Sequence, residues 1–147
     1  IDIALKAAET GHLVLATLHT TDTMRSISRI VGTFPSDSQY AVRLRLAEAL
    51  KAIVSQRLLP ATPTAGRKRV LACEVLVSTL ALQDMIREPE KMTGFQDYLE
   101  KGTGVYGTQS FDQHLLALFR EEKITRETMY AAATNPSNLE RILNFEG

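Results

Sequence analysis

"ETGHLVLATLHTTD", residues Glu9 to Asp22, decides how the rest of the chain is read. It places two of the three histidines, His12 and His19, at the two ends of the apolar run Leu13–Leu18. A short continuous apolar run without alternation is the pattern of a β-strand covered on both faces. Such a strand would hold the two imidazoles roughly 23 Å apart at ~3.3 Å per residue, so they could not share one metal ion. No cluster of His, Cys or carboxylates supplements either one, and no Gly-x-Ser-x-Gly elbow supports a hydrolase triad. No metal site is expected. In an open α/β sheet, ligands sit beyond the carboxyl ends of the strands. The run leads toward His19, so His19, Thr20 and Thr21 would crown that edge while His12 lies at the opposite one. On pattern alone, a satisfied structural histidine is the first reading for both.

Outward from this stretch, Ile1–Thr10 predicts an amphipathic helix stopped by Gly11. Asp22 predicts the cap of a helix to about Val31. Ser36-x-x-Gln39 predicts a capping box opening a longer helix. Val42, Leu46, Ala49, Leu50 and Ile53 form its apolar stripe, with Arg43, Arg45, Glu48 and Lys51 facing out. Strand-like segments near Ile53–Leu59 and Val70–Val77 flank "PATPTAGRKR", a hairpin loop. After Ser78 the character is helical throughout. Its stripes are Leu82, Met85 and Ile86; Phe95, Tyr98 and Leu99; Phe111, Leu115, Leu118 and Phe119; and Met129, Ala132 and Ala133. Asn135-Pro136 predicts the cap and first turn of a last helix. The expected fold class is α/β, with a mixed part over residues 1–78 and an all-helical subdomain over 79–147.

The composition narrows the function classes. The 147 residues carry 17 basic and 17 acidic side chains, without the electrostatic footprint of a general nucleic-acid binder. Arg67-Lys68-Arg69 reads as a solvated turn. The single cysteine, Cys73, lies in "RVLACEVLV", which excludes an internal disulfide and predicts a buried, inert thiol. No apolar run approaches the ~20 residues that span a bilayer, so direct membrane insertion is not expected and the chain reads as cytoplasmic. It opens without Met inside a helix, which predicts a piece of a longer protein. Gly102-x-Gly104-x-x-Gly107 matches a dinucleotide fingerprint by letter, but a helix rather than a strand precedes it. It reads as a flexible connector. Arg57 in "SQRL" is either a surface salt bridge or a phosphate or interface contact.

Several blocks together carry a family resemblance. "AAETGHLVLATLHTTD", "RIVGTFP" and "IVSQRLLP" closely resemble the PilT family of type IV pilus retraction ATPases, within the secretion ATPase superfamily. "ALQDMIREPEKM" resembles that family's helical retraction motif, and "GTQSFDQHLLALF" and "ITRETMYAAATNPSNLERI" resemble its C-terminal helices. The resemblance implies the C-terminal part of a RecA-like P-loop NTPase core over 1–78, followed by the helical subdomain. Related pilus-assembly and type II secretion ATPases usually carry zinc-binding Cys-x-x-Cys pairs after the region matching "QRLLP". Here that connection is short and only Cys73 is present, which favours retraction. The alternatives are a fragment of an assembly or secretion ATPase, a retraction-like paralogue, and a non-catalytic interaction module.

The resemblance also implies roles. His19 would contact or sense the γ-phosphate, Thr21 and Arg57 would be nucleotide contacts, and His12, Thr20 and Asp22 would support the His box. Ala81, Leu82, Gln83, Asp84, Met85, Ile86, Arg87 and Glu88 would couple hydrolysis to retraction. The full protein would use ATP and Mg²⁺ as a homohexamer at the inner membrane's cytoplasmic face, docked on a pilus platform protein. No Gly-x-x-x-x-Gly-Lys-[Ser/Thr] loop occurs in this chain, and the family's Asp box and Walker B segment are absent. The chain alone is therefore expected to bind no nucleotide tightly and to be inactive.

Overall fold

The computed structural model describes residues 1–146. Nine α-helices and one hairpin are found among them: α1 (Asp2–Glu9), α2 (Thr23–Gly32), α3 (Gln39–Ala49), β1 (Ala52–Pro60), β2 (Arg69–Val77), α4 (Leu80–Arg87), α5 (Phe95–Lys101), α6 (Thr103–Tyr106), α7 (Phe111–Arg120), α8 (Arg126–Ala132) and α9 (Pro136–Glu146). Two compact units arise, each discontinuous in sequence. The first takes Ile1–Ser55 with Val75–Thr108; the second takes Gln56–Glu74 with the chain from Gln109 onward. All described elements after β2 are helical, as the sequence predicts.

In the first unit, α1 ends where expected: Gly11 adopts φ +91°, a left-handed conformation open to glycine without strain. The capping box at Ser36 does not form. Helix α3 starts at Gln39, Ser38 gives no side-chain cap, and the Gln39 amide donates to the Phe34 carbonyl instead. The intervening Pro35–Ser38 turn takes up the residues that the box needed. The core is assembled from Leu5, Ile27, Val31, Val42, Leu46, Leu76, Leu82, Ile86, Phe95 and Leu99. Arg45, expected to face out, is half-buried and holds Glu9 through Nε and Nη2, the latter at 3.0 Å. Its neighbour Arg43 donates to the Ile86 carbonyl at 3.3 Å. Part of the glycine-rich segment, read as a flexible connector, is helical. Thr103–Tyr106 is helical, and Thr108 Oγ1 donates to Leu99 at 2.7 Å, 2.4 Å from where a Gly102 Cβ would stand.

The hairpin is in register at both ends. Ser78 N–H donates to Lys51 O at 2.8 Å in the first unit, and Ala61 N–H to Lys68 O at 3.1 Å in the second. In the second unit this sets Leu59 beside Val70 and Arg57 beside Ala72 on the covered face. Phe111, Leu115, Leu118, Met129 and Leu139 complete that core, so the stripes read from α7 and α8 are the buried ones. Cys73 presents its N–H to His114 Nδ1 at 2.9 Å and its carbonyl to the Gln109 amide at 3.0 Å. Side chains thus occupy backbone groups that a third strand would use. Burial pushes the Cys73 thiol up, as an inert thiol requires.

The Leu13–Leu18 run differs from expectation. It forms no strand with β1 or β2, and Leu13 and Leu15 are 84% and 88% exposed. A strand is completed by its neighbour's hydrogen bonds, and the described residues offer this run none. Its apolar pattern is still that of a segment shaped for cover on both faces.

Candidate functional site

The segment from His19 to the start of α2 is organised by Asp22. Its backbone is extended, and its Oδ1 accepts the Arg25 N–H at 2.7 Å, satisfying an otherwise orphaned first-turn donor. Its Oδ2 accepts the Thr21 hydroxyl at 2.9 Å and faces Arg25 Nε at 3.4 Å. Arg25 Nη1 returns to Thr21 Oγ1 at 2.8 Å, which closes the loop on itself. Thr20 Oγ1 meets Ser26 Oγ at 2.6 Å, and Ser26 donates to the Asp22 carbonyl at 2.9 Å. These contacts leave His19 exposed, with no hydrogen-bond partner among the described residues.

His19, Thr20, Thr21, Arg25, Ser28, Arg29 and Gly32 line an open depression of ≈ 450 Å³. No carboxylate is among these lining residues, so the wall offers donors and positive charge, the chemistry of an anion site. Sequence reading assembled the first three and missed the four from α2. The signal was present in their spacing. Thr23, Ser26, Ile27 and Val31 are buried, so positions 25, 28, 29 and 32 fall on the helix's other face.

The remaining candidates lie elsewhere. His12 closes α1: its Nδ1 is 3.1 Å from Thr10 Oγ1, which itself donates to Ala7 O at 2.8 Å. Arg57, in the second unit, donates Nη1 to Ala132 O at 2.9 Å and lies 3.7 Å over the Phe111 ring. This is packing with a cation–π component. Helix α4 carries seven of the other eight, and Glu88 follows as its C-cap. Leu82 and Ile86 are fully buried and Met85 partly, while Ala81 and Asp84 are exposed. Thr79 caps it through the Leu82 N–H. Arg87 reaches Asp84 at 3.2 Å and Glu48 at 3.8 Å, and Glu88 accepts Lys91 at 2.7 Å, which holds that lysine's pKa above its ordinary value. Gln83 is half-buried.

Residues 1–142 match the family described as type II/IV secretion system protein. The chain belongs to that family. Within it, this family member is 40% identical over 139 residues to a twitching motility protein of Neisseria gonorrhoeae, covering 95% of the chain and 36% of that relative. It is 38% identical over 138 residues to the type IV pilus retraction ATPase PilT of Pseudomonas aeruginosa, covering 94% of the chain and 39% of that relative. A solved structure of the pilus retraction motor PilT with bound ADP superposes with a TM-score of 0.80 at 39% identity, over 95% of this chain and 38% of that one. The Legionella pneumophila ATPase DotB shares the fold, with a TM-score of 0.72 at 23% identity, over 88% of this chain and 34% of that one. The α/β architecture read from the sequence is therefore that of the C-terminal part of such ATPases. The chain spans well under half the length of these relatives. Likeness to the type II secretion system protein E of P. aeruginosa is lower, at 29% identity, so the secretion alternative is not favoured.

Proposed function

We propose that this chain is the C-terminal portion of a hexameric motor ATPase that powers type IV pilus retraction and twitching motility. Residues 1–78 form the end of its RecA-like core and 79–147 its helical subdomain. The observation that carries the reading is an uncommitted histidine, His19, on an acid-free rim, in a chain 40% identical to a twitching motility protein.

The rim suits the terminal phosphates of ATP. His19 donates from its imidazole to a γ-phosphate oxygen; the Thr21 hydroxyl gives its one proton to Asp22 and accepts from Arg25, so a phosphate contact by Thr21 would first have to replace the bond to Asp22. Thr20 and Asp22 hold the loop, and His12 supports its distal end. Positive donors aimed where charge develops are the largest source of stabilisation in phosphoryl transfer. Mg²⁺ finds no carboxylate among the lining residues, so this wall supplies donors only. Because His19 has no competing partner, gain or loss of the phosphate changes its hydrogen bonding directly, which couples hydrolysis to motion. A phosphate contact by Arg57 would first have to replace its bonds to Ala132 and Phe111.

The phosphate-binding loop is not in this sequence, and the chain alone is inactive in this reading. In the whole protein, the ring docks at the cytoplasmic face of the inner membrane on a pilus platform protein, and α4 transmits the stroke. The test is His19→Ala in the full-length protein. ATP turnover falls at least about tenfold while the hexamer persists on gel filtration; unchanged turnover removes His19 from the mechanism.

A further inference from the structure

Arg29 stands out among the chain's cations. It lies on the open face of α2, lines the same depression as His19, and makes no hydrogen bond or ion pair among the described residues. Its neighbour one turn earlier, Arg25, has its charge answered by Asp22. Like charges four residues apart destabilise a helix by a few tenths of a kcal/mol. Nothing acidic on α2 offsets this, because its ten residues, Thr23–Gly32, include no Asp or Glu.

The geometry gives that arrangement a use. Side chains on an α-helix lean toward its N-terminus, so Arg29 is directed back along the face toward Arg25 and the His19 loop. The next residue on the face, Gly32, has open space where a Cβ would stand. One imidazole, two guanidinium groups and the hydroxyls of Thr21 and Ser28 therefore line one concavity whose lining residues include no acid, the neighbouring Asp22 carboxylate being held against Thr21 and Arg25. A carboxylate would satisfy one guanidinium. A terminal phosphate brings about three acceptor oxygens and matches the guanidinium fork.

We propose that Arg29 is a specificity-determining residue that holds the terminal phosphate of a nucleoside triphosphate, with Arg25 positioning Thr21 beside it, so that the site separates triphosphate from diphosphate. This rests on the reading of the depression as a nucleotide site.

The experiment measures binding of ADP and of a non-hydrolysable ATP analogue to the full-length protein, for wild type, Arg29→Ala and Arg29→Lys. Arg29→Ala weakens the ATP analogue about tenfold, the loss of one charge-assisted bond, and leaves ADP within about twofold. Arg29→Lys, which keeps the charge but not the fork, falls between. Without nucleotide, the unfolding midpoint of Arg29→Ala is not lowered, since no partner is lost. Unchanged affinity for both ligands overturns the proposal. So does equal weakening of both with a lowered midpoint or lost assembly, which would mark packing or a subunit contact. Wild-type protein that binds neither nucleotide refutes the nucleotide reading itself, a different result.

Discussion

Replacing Asp112 with alanine removes the pin of the turn between α8 and α9. Asp112 is 5% exposed, and its two oxygens accept the N–H groups of Thr134 at 2.7 Å and Asn135 at 2.8 Å. Hydrogen bonds to a charged group contribute about 1.5–3 kcal/mol each, and a buried donor left unpaired adds its own desolvation cost. The two bonds share one acceptor group and are not additive, so Asp112→Ala should cost about 3 kcal/mol. At a urea dependence of ~2 kcal/mol/M, the midpoint falls by about 1.5 M. Asp112→Asn keeps one acceptor oxygen and turns an amide toward the other donor, so about half the loss is expected. Urea unfolding followed by far-ultraviolet circular dichroism measures both, and hydrogen exchange should report opening first at Thr134 and Asn135. An Asp112→Ala cost below about 0.5 kcal/mol would mean that the turn is not pinned and that water satisfies both donors equally well.

Three further outcomes are expected. Glu122, at φ 56°, occupies the left-handed position that closes α7, and Lys123 N–H bonds back to Leu118; Glu122→Gly should stabilise by about 0.5–1 kcal/mol in thermal unfolding, and a loss would refute the strain. Arg45 holds the Glu9 carboxyl below its ordinary 4.5, and Lys6, then Arg45, hold Asp2 below 3.8. Such lowered groups stabilise above the unfolded value and lose that contribution as pH falls through the folded one, so stability should drop on acidification below 4.5, less steeply in Arg45→Ala; parallel pH profiles would contradict this. Arg87→Ala should alter stability by under about 1 kcal/mol, because its ion pairs are exposed, and should leave ATP turnover near normal while abolishing retraction; normal twitching would contradict the coupling role.

Much of this was legible in the sequence because local patterns and tertiary needs agree. The strand-like segments near Ile53–Leu59 and Val70–Val77 on either side of "PATPTAGRKR" located the hairpin, and Asp22 and Asn135 cap the helices they were read to cap. What stayed hidden depends on neighbours distant in sequence. Leu13–Leu18 carries a buried strand's pattern, but pairing is a property of two segments, and the second is not among the described residues. Arg57 looked like a surface cation because nothing local announces Phe111 and the Ala132 carbonyl. Ser36 and Gln39 have the right letters for a capping box, yet the turn after Pro35 shifts the helix start to Gln39 itself, with Ser38 rather than Ser36 before it. At the candidate site, His19 was visible as a motif, while Arg25 and Arg29 emerged only once the buried face of α2 was known.

The central claim, that this is the nucleotide-sensing end of a retraction motor whose phosphate-binding loop lies outside this sequence, is tested most directly by ATP binding to the 147-residue chain beside the full-length protein. Isothermal titration should show binding and turnover in the full-length protein and no saturable binding in the chain alone. Tight, saturable ATP binding by the chain alone would contradict the account.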